Sequence, residues 1–307
     1  MPAAWQGDAL AVASAVSFAT ANVLIARGSR PDGGDNGAFT SLLITAALAG
    51  AGWIVEGLWR GFEPVTWRAL AWFAGGGVFT GFIGRVFYYA SVQRLGAMRS
   101  SAIKRLTPFF AVILGMLVMG DAINGSMAIG LAMIASSFVV LVGAAWMGGT
   151  SSRLASQAPR SRGLGWGYVY GPISALGYST GYLLRKMGLA EAHDAWLGAC
   201  VGCLVGALFF LVTAAFNRDY ARAVRATFRR PSHWLLAAGV MSSAGQILYF
   251  FALNWSTISR VALLGSMEIF VTMFLAWLFL RQRESLTPSL LAAAALGFGG
   301  GAVIILH

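Results

Sequence analysis

The chain alternates long apolar runs with short polar or glycine-rich links. A membrane helix needs about 20 mostly apolar residues. Ten runs of that kind can be counted, at 9–27, 37–58, 69–92, 97–119, 125–147, 165–186, 195–216, 233–254, 259–280 and 286–306. They predict an all-α membrane protein with ten transmembrane helices. The two longest links are 148–163, with Pro159, and 217–232, with five arginines, and neither leaves room for a soluble domain.

Sliding the sequence on itself reveals a duplication. Ser14, Ala15, Thr20 and Leu24 recur as Ser174, Ala175, Thr180 and Leu184, an offset of 160. At an offset of 161, Gly84-Arg85-Val86-Phe87-Tyr88 falls on Gly245-Gln246-Ile247-Leu248-Tyr249, and Arg99, Phe109, Leu114 and Leu117 fall on Arg260, Phe270, Leu275 and Leu278. The register predicts a first five-helix repeat over 1–147, a linker at 148–164 and a second repeat over 165–307. An odd number of spans makes the second repeat enter the bilayer from the opposite side. Such inverted repeats are the plan of many secondary transporters, with the substrate bound near the midplane between the halves.

Composition agrees with a membrane setting: 58% of residues are hydrophobic and only 11% charged, against roughly 25% charged in soluble domains. The net charge of +11 does not point to nucleic acid, because the basic residues flank apolar runs instead of forming one face. Five basic residues, Arg60, Arg68, Arg185, Lys186 and Arg260, lie as flanks on the side of the two termini, and fourteen lie on the other. The positive-inside rule then puts both termini outside. Cys200 and Cys203 stand in an apolar stretch with Gly198, Gly202 and Gly206, a small-xxx-small spacing that suits tight helix packing better than redox chemistry.

Ionisable groups within a span are costly, about 2.5–3.5 kcal/mol on insertion scales, so they are functional candidates. Arg85, Lys104, Arg105 and Glu268 make up that set. Glu268 sits about ten residues into the ninth run, and the repeat register sets it opposite Thr107, one turn beyond Lys104. Together Lys104 and Glu268 could face one cavity and hold the carboxylate and ammonium of an amino-acid zwitterion; the alternative is an ion pair that braces the bundle. Arg85 and Arg105 are also close enough to an interface to snorkel. Gly81, Gly84, Arg85 and Tyr88 share one helix face, repeated by Ser242, Gly245, Gln246 and Tyr249. Ser174, Tyr178 and Gly181 form a similar face with Tyr182 adjacent, and Asn22 is the lone amide of the first span. These are candidate substrate contacts, and the tyrosines could instead be interface anchors, as the tryptophans near span ends are read to be. Pro108 should kink the fourth span and Pro172 the sixth, and Gly84, Gly181 and Gly245 complete the candidate hinge positions. Lysine occurs only at 104 and 186 and histidine only at 193, 233 and 307, so neither a phosphate-binding P-loop nor a His-Glu-x-x-His zinc site can be formed. No cofactor, metal site or enzyme centre is expected.

Ten spans in two repeats, with Tyr88-Tyr89-Ala90-Ser91, Leu106-Thr107-Pro108-Phe109-Phe110-Ala111 and Gly120-Asp121, resemble the drug/metabolite transporter superfamily, EamA type, over nearly the whole chain. The second half departs from the pattern: Met267-Glu268-Ile269-Phe270 lacks a proline, and Arg281-Gln282-Arg283-Glu284 replaces a short Gly-Glu ending. Within the superfamily the chain looks most like the bacterial aromatic amino acid exporters (YddG type). That resemblance implies a monomeric, multi-pass inner-membrane exporter of Phe, Tyr, Trp and some toxic cations, working by alternating access. It also implies cytoplasmic termini, against the charge count. A drug or nucleotide-sugar carrier of the same superfamily, and a membrane scaffold without flux, are the other readings.

Overall fold

The computed structural model describes residues 3–28, 37–62, 64–84, 87–88, 91, 106–147, 164–229, 232–280 and 288–306. Its elements are helical, with no strand among the described residues. The first half comprises α1 (Ala3–Gly28), α2 (Ala38–Arg60), α3 (Trp67–Gly77) continued by a π-helical segment (Val78–Gly84), α4 (Thr107–Leu114) continued by a second π-helical segment (Gly115–Met119), and α5 (Gly125–Met147). The second half comprises α6 (Leu164–Ala192), α7 (Ala195–Phe216), α8 (Arg218–Arg229), α9 (His233–Trp255), α10 (Ile258–Gly265), α11 (Glu268–Leu280) and α12 (Pro288–Leu306).

Local chemistry explains where these helices begin. Thr66, Asp194 and Thr257 each accept a hydrogen bond from the backbone N–H three residues on, at 3.2, 2.9 and 3.3 Å, and Asn124 does the same for Met127 at 2.9 Å. Each satisfies a donor that the first turn would otherwise leave open. Gly120 closes the second π segment in the left-handed conformation, φ 70°, which a glycine adopts without steric cost.

Four helical stretches, Trp5–Ile25, Ala38–Arg60, Ala195–Phe216 and His233–Trp255, are long and apolar enough to cross a bilayer, and Thr107–Met119, Gly125–Val140 and Ala292–Leu306 are shorter apolar helices. The expected count of ten spans is therefore not recovered from helix length alone. Two differences from the sequence reading have physical causes. The run at 259–280 is broken, because Ser266 and Met267 form a tight turn: Met267 N–H bonds Leu264 O at 3.1 Å, three residues back, and the Ser266 hydroxyl donates to Leu263 O at 2.6 Å. The link 217–232 contains a helix, α8, whose exposed arginines 218, 222, 225 and 229 recur at helical spacing. Its other face carries buried Ala223 with Tyr220 and Val224 against Phe39 and Phe210.

Packing follows the duplication. α1 lies along α9, and α3 with its π segment lies along α6; α2 packs on α7, α4 on α10 and α5 on α12. Exchanging the repeats maps this set of pairs onto itself. The match reaches single atoms: the Ser14 hydroxyl donates to Gly245 O at 2.7 Å, and the Ser174 hydroxyl to Gly84 O at 2.6 Å. Where α3 and its π segment cross α7, glycines face glycines. A Cβ on Gly77 would lie 2.9 Å from Gly202 Cα, and one on Gly81 would lie 3.0 Å from Gly206 Cα.

The two ends of the bundle are held differently. At the end bearing the start of α1, buried Asp8 accepts from Arg260 Nε at 2.7 Å and Nη2 at 2.6 Å. Asp121 accepts the backbone N–H and the hydroxyl of Ser259, at 3.1 and 2.7 Å. Lys186 donates to the Leu253 carbonyl and, at 2.8 Å, to the Ser256 carbonyl. At the opposite end the contacts are aromatic: the Arg27 guanidinium lies 4.3 Å from the Trp234 ring centre, and Phe39 and Phe210 are 5.3 Å apart. Outward faces are apolar, with Val55, Leu58 and Trp59 on α2 and Leu204, Leu208 and Phe216 on α7 exposed, as a lipid-facing surface requires.

Candidate functional site

A cavity of about 480 Å³ lies between the halves. From α1 it takes Ser14, Ala15, Phe18 and Asn22, a set that shares one helix face. Tyr88, Thr107, Pro108 and Phe138 line it from the rest of the first half. From the second half come Tyr182 of α6, Tyr249 of α9, Ala262 and Gly265 of α10, the turn residue Ser266, and Glu268, Ile269 and Thr272 of α11. Gly245 permits one wall: a Cβ there would stand 3.0 Å from the Phe18 ring.

The break after Gly265 sets Glu268 in the first turn of α11 instead of the interior of one continuous helix. Asn22 Nδ2 donates to Glu268 Oε1 at 2.7 Å and reaches Thr272 Oγ1 at 3.5 Å, so the first span's lone amide and the ninth run's acid meet across the two halves. Tyr182 and Tyr249 stack with centres 4.8 Å apart at 40°. The Tyr249 hydroxyl is buried without a hydrogen-bond partner among the described residues.

Six of the sequence-predicted residues, Asn22, Tyr88, Pro108, Tyr182, Tyr249 and Glu268, thus share one cavity. Tyr178, Ser242 and Gln246 line a smaller one of about 80 Å³, together with Tyr182 and Arg185. Lys104, Arg85 and Arg105 fall outside the described residues. Pro108 is the second residue of α4, so it occupies a first turn, where proline costs no backbone bond, instead of kinking a helix interior; Pro172 does lie inside α6. Gly84, Gly181 and Gly245 sit at tight crossings, against Tyr178, Thr80 and Phe18 respectively.

Arg185 is the correction with most chemical content. Its place beside Lys186 suggests a basic flank, yet it is only 5% exposed, because α6 runs on to Ala192 and carries it inside the bundle. The signal that identifies it is spacing: Ser174, Tyr178, Gly181 and Arg185 continue a single helix face at i, i+4, i+7 and i+11. Phe18, Phe138, Ser266 and Thr272 were also not singled out by sequence, since apolar and hydroxyl residues inside spans carry no distinguishing pattern. Among the described residues no group of three or more His, Cys, Asp or Glu could hold a metal ion.

No curated protein matches the chain. A solved structure, described only as the crystal structure of a protein, superposes with a TM-score of 0.67 at 18% identity, covering 97% of both chains, which establishes a shared fold. The model of the EamA-like transporter family matches residues 5–143 and again 165–306, one match for each half of the duplication. The two matches together span most of the chain, and the chain belongs to the EamA-like transporter family.

Proposed function

We propose that the chain is a monomeric secondary carrier of the inner membrane, with ten spans in two inverted repeats, that exports aromatic amino acids by alternating access. The observation that carries this reading is the cavity between the repeats. Its volume of about 480 Å³ lies in the range of small-molecule sites, roughly 300–1,000 Å³. Its walls combine the rings of Phe18, Tyr88, Phe138, Tyr182 and Tyr249 with the carboxylate of Glu268. Stacked or edge-on rings suit an aromatic side chain, and a carboxylate steadied by Asn22 suits an ammonium group. Lys104 is assigned to the substrate carboxylate by the repeat register, and Gly84, Gly181, Gly245 and Pro108 to the points about which the halves move. The polar contacts at the end bearing the start of α1 are read as the closed side of one access state.

The test is flux of labelled phenylalanine in proteoliposomes. Glu268→Gln and Lys104→Ala should each cut flux by about tenfold or more, the loss of one charge-assisted contact, while the purified proteins melt normally. Undiminished flux in both variants refutes the zwitterion assignment, and absence of flux of any aromatic amino acid in the wild type refutes the substrate class.

A further inference from the structure

Among the described residues Arg185 has no ionic partner: no carboxylate lies within 4.0 Å of it, the ion pairs being Arg60 with Glu56 and Arg260 with Asp8. Its neighbours are neutral. Nη2 donates to Thr80 Oγ1 at 2.7 Å, and with the Gln246 amide turned so that its oxygen faces the guanidinium, that oxygen accepts from Nη1 at 2.8 Å and Nη2 at 2.9 Å. The Phe250 and Tyr182 rings lie 5.0 and 5.7 Å from Cζ. Nε–H is buried with no acceptor.

A guanidinium stays protonated where a lysine would shed its charge, so the bundle interior holds a fixed positive charge that, among the described residues, dipoles and ring faces offset. Such a charge is costly in a membrane protein unless it is paired. Beside it is the cavity of about 80 Å³, room for two or three water-sized groups at a water's share of about 30 Å³. Its other walls include Ser41, Thr45, Ser242 and Tyr178; the Ser41 and Thr45 hydroxyls donate to Ala38 O and Ser41 O, at 2.9 and 2.7 Å. A buried cation with one N–H left without an acceptor, beside a space too small for an organic solute, is the chemistry of an anion site.

We propose that Arg185 and this cavity bind a compact monovalent anion, either a free halide or a carboxylate head group. The inference is independent of which solute occupies the larger cavity and of whether the chain moves it. Tyr182 lines both spaces, so a carboxylate-bearing molecule in the larger one is a candidate source.

The test is thermal unfolding of the purified full chain in sodium chloride, bromide or formate, against sodium gluconate and sulfate at matched ionic strength. A saturable rise in melting temperature, on the order of 5 °C at saturating anion, is expected with the compact anions and not with the large or divalent ones. Response to formate alone assigns the site to carboxylates; response to the halides as well assigns it to compact anions in general. Arg185→Gln should abolish the rise. Ser242→Leu fills the cavity while Arg185 keeps its charge and should abolish it too, which decides the matter if Arg185→Gln does not fold. No compact-anion effect in the wild type, or an effect that survives Ser242→Leu, overturns the proposal.

Discussion

Replacing Gly77 and Gly202 by alanine, one at a time, tests the close crossing of the halves most directly. Both glycines stand at the same crossing, and both lie within helices, so each replacement gains up to about 1 kcal/mol of helix propensity. What differs is the space each new methyl meets. At Gly202 the nearest atoms would be Phe73 O at 3.6 Å and Gly77 Cα at 3.9 Å, which is ordinary contact. At Gly77 the methyl would meet Gly202 Cα at 2.9 Å and its carbonyl oxygen closer still. Optimal carbon contacts fall at about 3.5–4.0 Å, and a backbone cannot swing aside as a side chain can, so the helices must separate. Overpacking of this kind costs about 1–3 kcal/mol, and the gap would also loosen Gly81 from Gly206. Gly77→Ala should therefore lose about 1–2 kcal/mol net, while Gly202→Ala should be neutral or gain up to about 1 kcal/mol. At about 2–4 °C per kcal/mol, the difference of about 1–3 kcal/mol should set the two variants about 2–12 °C apart in melting temperature when followed by tryptophan fluorescence in detergent. Equal melting temperatures, or a less stable Gly202→Ala, would refute the reasoning.

Ser14→Ala and Ser174→Ala should cost the same, about 0.6 kcal/mol each as is usual for hydrogen bonds between membrane helices, because the two hydroxyls serve equivalent carbonyls; a difference of more than about 1 kcal/mol in urea unfolding, beyond the spread of such bonds, would show that the halves are not equivalent there. Asp8→Asn, Arg260→Gln and the double variant form a thermodynamic cycle with an expected coupling of about 1.5–3 kcal/mol, the range for hydrogen bonds between charged groups; coupling near zero would mean that the pair adds nothing at that end of the bundle.

The repeat register reads through from sequence to atoms. Ser14 and Ser174 match at one offset and Gly84 and Gly245 at the next, and the structure joins them crosswise, because a duplicated helix pair keeps the residues that let its backbones approach. Asn22, the lone amide of its apolar run, and Glu268, the lone acid of its own, are also visible in the sequence, and they do meet. The break at Ser266-Met267 is not visible, since it rests on a hydroxyl and a three-residue turn and not on proline. Arg185 is misread for a related reason: hydropathy ends a span at the first basic pair, whereas the helix continues for six residues past it. In α8 the sequence shows arginines at helical spacing, but a link so polar carries no apolar run to mark it as a helix.

Ser259 and Arg260 are consecutive residues in the first turn of α10, yet their partners come from opposite ends of the first repeat, Asp8 near the start of α1 and Asp121 just before α5. One short helical turn is thus a double latch. A displacement of that turn as a rigid unit takes Ser259 from Asp121 and Arg260 from Asp8 together, so the two ends of the repeat are released by one movement.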